Sequence, residues 1–214
     1  DGMGGHAAGE VASTLAAERV CGAIVDALET RADDGRPLEE AMRDAVLAAH
    51  HTILERAQSE PAMLGMGTTL TALVLGEERT GFHIAHVGDS RAYRLRRGEL
   101  RQLTTDHTWV QDQVEHGLLS PDAVRDHPRA NLLTRAVGTF HEPPVVDILS
   151  GAVSAGDLFL LCSDGLSSVL TPTEIRDALA DDAALESIAH GLIEAANRRG
   201  GPDNITVILV RLAA

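Results

Sequence analysis

Four aspartates of this 214-residue sequence stand at turns, where grouped carboxylates can do chemistry. They are Asp1 in DGMGGH, Asp89 in HVGDSRAY, Asp164 in LLCSDGL and Asp203 in GPDNITVILV. A single Asp-Gly pair is typical of a surface turn, because both residues favour turns. Asp164, however, follows an apolar run and Asp203 precedes one, so both carboxylates are expected at the rims of buried strands. Without a partner, carboxylates grouped there would repel each other.

Divalent cations remove such repulsion. Mg²⁺ and Mn²⁺ prefer oxygen ligands, keep several waters and need few protein carboxylates. Two such ions about 3.5–4 Å apart share a water, lower its pKa and deliver hydroxide in line to phosphorus. The pattern therefore predicts a two-metal hydrolase in which the aspartates bind the ions and water is the nucleophile.

The sequence offers no better nucleophile. Cys162 has no basic loop near it, and there is no Gly-x-Ser-x-Gly elbow. The glycine-rich stretch DGMGGHAAGE precedes a helix but lacks the lysine and the hydroxyl residue of a P-loop. Hydrolysis by activated water is therefore the better hypothesis.

Hydrophobic periodicity predicts the elements that position the aspartates. Helical spacing of apolar residues predicts a helix over Ala8–Leu28 and another over Leu38–Ile53. The period then changes to two. Strands are predicted at Thr68–Leu75, Phe82–Val87, Ala92–Leu95, Val145–Leu149 and Asp157–Cys162, with a closing buried strand at Asn204–Val210. Short connections between consecutive strands favour antiparallel pairing.

Four further helices are expected between and after these strands. A polar excursion contains two helix starts, the second with Ser120 as cap and Pro121 in its first turn. Thr171–Glu174 is a capping box, and a last helix carries apolar residues from Leu185 to Ala196. Helices covering antiparallel sheets make this an α+β protein, read as a single domain over 1–214.

Composition narrows the choice of function. Apolar residues make up 44% of the chain and aromatic residues only 2%, so Ala, Val, Leu and Ile must form the core. With 18 basic and 32 acidic residues, the net charge of −14 argues against nucleic acid and membrane surfaces as partners. Cys21 and Cys162 are expected to be buried, reduced thiols. Such thiols fit a cytoplasmic protein, and the sequence shows neither a membrane span nor a signal peptide.

Seven motifs taken in order resemble the bacterial branch of the metal-dependent type 2C (PPM family) protein serine/threonine phosphatases. They are DGMGGH, GMGTTL, HVGDSRAY, LTTDHT, LTRAVG, SDGL and DNITVILV. The resemblance spans nearly the whole chain. It implies a four-layer α/β/β/α sandwich, two antiparallel sheets flanked by helix pairs.

The resemblance also implies roles for particular residues. Asp1 would bridge two core ions of Mn²⁺ or Mg²⁺, and the carbonyl of Gly2 would help to hold one of them. Asp164 and Asp203 would complete the catalytic cage. Asp89, together with Asp164, would serve a third ion.

Residues 110–135 resemble the flap beside the catalytic cleft of the family. Arg129 and Arg135, in and after this flap, are the candidates for binding a phosphorylated segment. Arg91 is expected to be a structural ion-pair partner instead. His50, His51, His83 and His86 have no metal-ligand partners near them in the sequence, and structural roles are expected for them.

The sequence departs from the family pattern in two places. The eukaryotic members carry a histidine, proposed as general acid, where this chain has Met3, which has no proton to donate. A metal-bound water is then the first choice of proton donor and His6 the second. The chain also begins at Asp1, so we expect the opening strands, a phosphate-clamping arginine and an acidic residue of the family to be missing.

We therefore expect a phosphatase that acts on phosphoserine and phosphothreonine in signal transduction. Its partners would be phosphorylated proteins such as substrates of bacterial Ser/Thr kinases, and the chain itself a monomer. Two alternatives remain open. One is a non-catalytic module that uses this fold to bind a partner or sense phosphorylation, and the other is a different two-metal hydrolase such as a phosphodiesterase.

Overall fold

The structure is a computed structural model that describes residues 1–4, 6–76, 81–139 and 142–213, and the side chains of 6, 7 and 31–34 lie outside that description. The role predicted for His6 therefore falls outside the described side chains. The helices are α1 His6–Asp34, α2 Leu38–Ser59, α3 Trp109–Glu115, α4 Asp164–Ser167, α5 Pro172–Leu179 and α6 Leu185–Arg198. The strands are β1 Gly2–Met3, β2 Gly67–Thr68, β3 Leu70–Leu75, β4 Phe82–Val87, β5 Arg91–Arg96, β6 Glu99–Gln102, β7 Asp147–Gly151, β8 Leu158–Cys162 and β9 Val207–Arg211.

The chain forms two compact units, each with its own hydrophobic core. The first unit comprises Asp1–Leu75, His83–Gly88 and Leu133–Ser150, and the second Gly76–Phe82, Asp89–Leu132 and Gly151–Ala214. The α+β class is confirmed. The four-layer arrangement and the single domain stay predictions.

The core of the first unit is built on α1 and α2. The predicted stripe of α2 is fully confirmed, since all its members are buried: Leu38, Ala41, Met42, Ala45, Val46, Ala49 and Ile53. In α1 the buried residues recur every four positions from Ala8 to Ile24. The prediction that Cys21 is buried is wrong, because it follows buried Val20 by one residue, a rotation of about 100° away from the stripe.

Two sheets belong mainly to the first unit. β1 pairs antiparallel with β2, with Gly2 opposite Thr68, and the second sheet has the order β3-β4-β7. The bounds of β4 agree with the prediction. The predicted strand from Thr68 is divided in two, because Thr68 pairs with β1 and with Val137 whereas Leu70–Leu75 pairs with β4.

The second unit is a four-stranded sheet in the order β6-β5-β8-β9, antiparallel at each pairing. Its apolar face packs against α5 and α6. The capping box at Thr171 and Glu174 is confirmed and begins α5. The closing strand is not buried as predicted, because β9 is the outermost strand of the order and Ile208 is 53% exposed.

The polar excursion contains only one of its two predicted helices. Thr108 caps α3 through a hydrogen bond from the Gln111 N–H. At Ser120 a single 3₁₀ turn, Pro121–Ala123, replaces the predicted helix, and the Ser120 side chain makes no capping bond. Two features disfavour a longer helix here: the missing cap bond leaves the first N–H groups without that partner, and Pro128 disfavours helical backbone at His127. Among the described residues, no helix has the length and apolar character needed to cross a bilayer.

Candidate metal centre

Asp1 is held in the first unit through its backbone. Its carbonyl accepts hydrogen bonds from the Thr69 N–H and the Thr68 hydroxyl, each 2.9 Å long. Thr68 is fully buried and also exchanges backbone hydrogen bonds with Val137, at 2.9 and 2.8 Å. The GMGTTL motif is thereby an anchor for the first aspartate, a role that sequence reasoning did not identify.

Glycines allow β1 to lie against α1. A Cβ added at Gly2 would meet the Gly9 carbonyl oxygen at 2.0 Å, and one added at Gly9 would meet the Gly2 carbonyl at 2.6 Å. The carbonyl of Gly2, the predicted ligand, is therefore positioned by direct contact between the backbones of β1 and α1. The spacing of the two glycines in DGMGGHAAGE is explained by this contact.

Asp89 follows β4 and is the most buried of the four aspartates, at 8% exposure. Burial raises its pKa to about 7, and the carboxylates of Asp164 and Asp106 add to the rise. The structure therefore brings Asp89 and Asp164 close enough for their charges to interact. At neutral pH, Asp89 is poised between its protonated and ionised forms.

Asp106, in the LTTDHT motif, is a residue of this region that the sequence analysis missed. The Arg91 guanidinium donates three hydrogen bonds to its carboxylate, at 2.9, 3.0 and 2.6 Å, and a fourth to the Tyr93 hydroxyl at 3.1 Å. The predicted ion-pair role of Arg91 is confirmed, with Asp106 as partner. The available signal was an aspartate among hydroxyl residues just after a strand.

Asp164, at the start of α4, and Asp203, before β9, lie on two segments that are joined by a hydrogen bond. The Ser163 hydroxyl donates to the Asn204 carbonyl at 3.0 Å, and the Asn204 N–H donates to Asp203 Oδ1 at 2.7 Å. Gly165 allows this approach, because a Cβ there would meet the Asn204 carbonyl oxygen at 2.3 Å. Sequence reasoning placed both aspartates at strand ends but did not identify Ser163 or Asn204.

One oxygen of the Asp164 carboxylate is left unsatisfied by the described part of the chain. That oxygen, Oδ1, is buried and makes no hydrogen bond among the described residues. Burial raises the pKa of Asp164, and the nearby carboxylate of Asp203 raises it further. A buried carboxylate oxygen that repels its neighbour is satisfied by a cation.

The donor set fits a hard divalent ion. Within the part of the chain that the structure describes, no three His, Cys, Asp or Glu side chains form a group that would hold one ion. Mg²⁺ and related ions need only one or two carboxylates, because they retain several waters. The pair Asp164 and Asp203 meets that requirement in the second unit, whereas Asp1 and Gly2 belong to the first unit.

The arginines predicted to bind substrate have partners in the structure. The Arg129 guanidinium carbon lies 4.9 Å from the centroid of the Trp109 ring. Arg135 donates to Asp147 at 3.0 Å. Arg125, which was not predicted, donates to the carbonyls of Ser168 and Leu170 at 3.1 and 3.0 Å. Arg125 thus joins the predicted flap to the segment after α4.

The other nucleophile and base candidates have structural roles. Cys162 is buried, and burial raises its pKa to about 12, so it stays a thiol. His50 is fully buried and accepts a hydrogen bond from the Gly138 N–H at 3.0 Å, while burial lowers its pKa. His86 is hydrogen bonded to Thr71 and His83 to Ser150. These contacts confirm the structural roles predicted for His50, His83 and His86.

Named phosphatases are similar to this chain over nearly its whole length. Serine/threonine protein phosphatase PstP of Mycobacterium tuberculosis is 44% identical over 211 residues, which are 98% of this chain and 38% of that protein. Serine/threonine phosphatase stp of Listeria welshimeri is 39% identical over 210 residues, 98% of this chain and 81% of that protein. The chain therefore spans well under half of the mycobacterial relative.

Solved structures share the fold. A crystal structure of PstP from M. tuberculosis superposes with a TM-score of 0.83 at 41% identity, covering 100% of this chain and 86% of that one. The catalytic domain of PstP in complex with two manganese ions gives a TM-score of 0.79 at 40% identity, with the same coverage. The family pattern described as Protein phosphatase 2C matches residues 1–209. The predicted resemblance is thereby confirmed, and this chain belongs to the protein phosphatase 2C family.

Proposed function

We propose that this chain is a metal-dependent phosphatase that hydrolyses phosphoserine and phosphothreonine in proteins. The observation that carries the proposal is the buried oxygen of Asp164, which has no hydrogen-bond partner among the described residues and lies near the carboxylate of Asp203. Such a pair is unfavourable in a protein that binds no cation and favourable in one that does. Membership of the phosphatase family supplies the reaction that a cation would serve.

The residues that would hold two Mn²⁺ or Mg²⁺ ions are Asp1, Gly2 through its carbonyl, Asp164 and Asp203. Asp89 stands with Asp164 and would serve a third ion. Two manganese ions in the PstP catalytic domain support this assignment. The ions, when bound, supply an activated water for in-line attack on phosphorus and neutralise the charge of the phosphate.

The protein side chains supply metal ligands and hold them in place. Asp164 and Asp203 provide anionic oxygens, and the hydrogen bond from the Ser163 hydroxyl to the Asn204 carbonyl joins the two segments that carry them. Met3, in β1, has no proton to donate, so protonation of the leaving serine or threonine oxygen does not come from this position. Arg91 is committed to Asp106 and is not a phosphate clamp.

Phosphorylated proteins are the proposed substrates, among them the products of bacterial Ser/Thr kinases. The relatives named as serine/threonine phosphatases support this class. Arg129 and Arg135 are the proposed contacts to a phosphorylated segment, and each would exchange its present partner for phosphate. The two free cysteines are compatible with the proposed cytoplasmic location, and we propose a monomer.

The experiment is hydrolysis of p-nitrophenyl phosphate and of a phosphothreonine peptide with Mn²⁺, with Mg²⁺ and with EDTA. We expect turnover with either metal, none with EDTA, and its abolition in Asp164→Asn. Asp182→Asn removes an exposed carboxylate of the same unit and should keep full activity. Metal binding without turnover of either substrate would favour the non-catalytic module. Turnover of a bis-p-nitrophenyl phosphate diester alone would favour a phosphodiesterase.

A further inference from the structure

The Ser163 side chain stands where β8 ends and α4 begins, and its contacts are unusual for that position. A serine before a helix ordinarily accepts a hydrogen bond from the first helical turn. The Ser163 side chain makes no such capping bond. Its hydroxyl is turned instead toward the segment that precedes β9.

The hydroxyl takes the place of a backbone carbonyl in the β8-β9 ladder. Cys162 lies opposite Val207, so Ser163 lies opposite Thr206. In an antiparallel sheet such a pair exchanges two N–H to carbonyl bonds. The Ser163 N–H donates to the Thr206 carbonyl at 3.2 Å, but the Thr206 N–H donates to Ser163 Oγ at 2.9 Å.

The Ser163 carbonyl is thereby released to accept the Leu166 N–H at 3.2 Å, in the first turn of α4. The chain can leave the sheet and begin a helix within one residue, with Asp164 at the first helical position. At the same time the hydroxyl donates to the Asn204 carbonyl at 3.0 Å. One side chain thus bonds to residues on both sides of Ile205, directly after Asp203.

We propose that Ser163 is a positioning residue whose hydroxyl fixes the separation of the Asp164 and Asp203 carboxylates and so sets their affinity for divalent cations. Ser163 is 5% exposed, so water does not readily replace its two hydrogen bonds. Partners that orient metal ligands in this way contribute on the order of 10- to 100-fold in metal affinity. This inference rests on the metal centre proposed above.

The first experiment measures Mn²⁺ binding to the full chain by isothermal titration calorimetry, so that the readout does not depend on turnover. Ser163→Ala should weaken binding by about tenfold or more. Ser163→Thr keeps the hydroxyl and should restore most of the affinity. Ser167→Ala, in the short helix that Ser163 precedes and similarly buried at 8% exposure, is the matched control and should change the affinity by less than about twofold.

A second variant covers the case in which Ser163→Ala does not fold. Ser163→Cys has a similar size but a weak donor, and its Mn²⁺ affinity should fall between those of the alanine variant and the parent protein. Kinetics provide a further test. The Mn²⁺ concentration for half-maximal activity should rise in Ser163→Ala, while KM for p-nitrophenyl phosphate at saturating Mn²⁺ should stay unchanged.

The outcomes separate this inference from the proposed function. An unchanged Mn²⁺ affinity in folded Ser163→Ala would overturn the role of Ser163 and leave the phosphatase intact. A parent protein that binds Mn²⁺ without hydrolysing phosphate would overturn the proposed function, and the affinities of the variants would still decide the role of Ser163. A parent protein that binds no Mn²⁺ would overturn both.

Discussion

The two regions that carry the aspartates hold them by different physical means. Around Asp1, in the first unit, positions are set by backbone contacts: glycines that exclude any side chain and threonines bonded to a carbonyl. Around Asp89 and Asp164, in the second unit, buried carboxylates repel each other and side-chain hydrogen bonds restrain them. Close backbone contacts position Asp1, whereas burial and charge repulsion characterise the region of Asp89 and Asp164.

This difference predicts opposite responses to mutation. In a region defined by close packing, adding one methyl group should strongly lower the free energy of unfolding, and a change of pH should have little direct effect on it. In a region defined by charge repulsion, removing a carboxylate that has no cationic partner stabilises the metal-free protein while it damages metal binding. Residues that serve function at the expense of stability should therefore lie mainly in the second unit.

The largest expected effect is the pH dependence that Asp89 imposes on the metal-free protein. Its pKa rises from 3.8 to about 7 on folding. A raised pKa means that this contribution to stability is fully present below the unfolded pKa and is lost as pH rises toward the folded pKa. Relative to Asp89→Asn, the free energy of unfolding in EDTA should fall by up to about 4 kcal/mol between pH 4 and pH 8.

Urea unfolding of both proteins across that pH range measures the effect. Added Mn²⁺ should restore most of the lost stability to the parent protein, since ligand binding favours the folded state. Equal pH slopes for the parent protein and Asp89→Asn would show that burial and the neighbouring carboxylates do not raise the pKa of Asp89. Asp182→Asn provides the exposed control.

A methyl group at Gly9 should break the packing of the first unit. The added Cβ lies within 2.6 Å of the Gly2 carbonyl, a backbone contact that no rotamer relieves. Gly9→Ala should lower the free energy of unfolding by about 3 kcal/mol or more. Gly22→Ala lies in the same helix with nothing within 4 Å and should raise it by roughly 0.5–1 kcal/mol. Thermal and urea unfolding compare the two, and similar values for both would refute the packing explanation.

Removing the Asp106 charge tests the restraint by side-chain bonds in the second unit. Asp106→Asn leaves the Arg91 guanidinium, 24% exposed, without its anion. We expect a loss of about 2–3 kcal/mol, somewhat below the cost of breaking a fully buried ion pair. Glu194→Gln breaks a pair whose side chains are 69% and 71% exposed and should change stability by less than about 0.5 kcal/mol. If both variants unfolded at the same urea concentration, the Arg91–Asp106 pair would contribute no more to stability than the exposed pair.

The smallest expected effect concerns a helix end outside both aspartate regions. Thr171 accepts from the Glu174 N–H at 3.3 Å, and its own N–H donates to the Glu174 carboxylate at 2.9 Å. Thr171→Ala should cost about 1 kcal/mol, and Thr171→Ser should cost much less. Neither change should alter the Mn²⁺ affinity, which calorimetry would verify. A loss of metal binding in Thr171→Ala would mean that the second region extends farther than the present contacts indicate.

Local elements were predictable because their signals are local. The buried stripe of α2, the bounds of β4 and the capping box of α5 all follow from residues within one turn or one strand of each other. The failures have different causes. The helix expected at Ser120 lacks its cap bond and is followed by Pro128, whereas the exposure of Cys21 and of β9 depends on which face or edge of an element the rest of the chain covers.

The sequence alone determined the aspartates, their places at strand ends and the family to which their motifs belong. Only the tertiary structure decided that Arg91 pairs with Asp106, that Gly9 lies against Gly2, and that Ser163 bonds to residues 41 and 43 positions away. The physical reason is the range of the interactions. Periodicity predicts whether a residue faces the core. A hydrogen bond between two segments that are distant in sequence depends instead on which strands are paired and in what register.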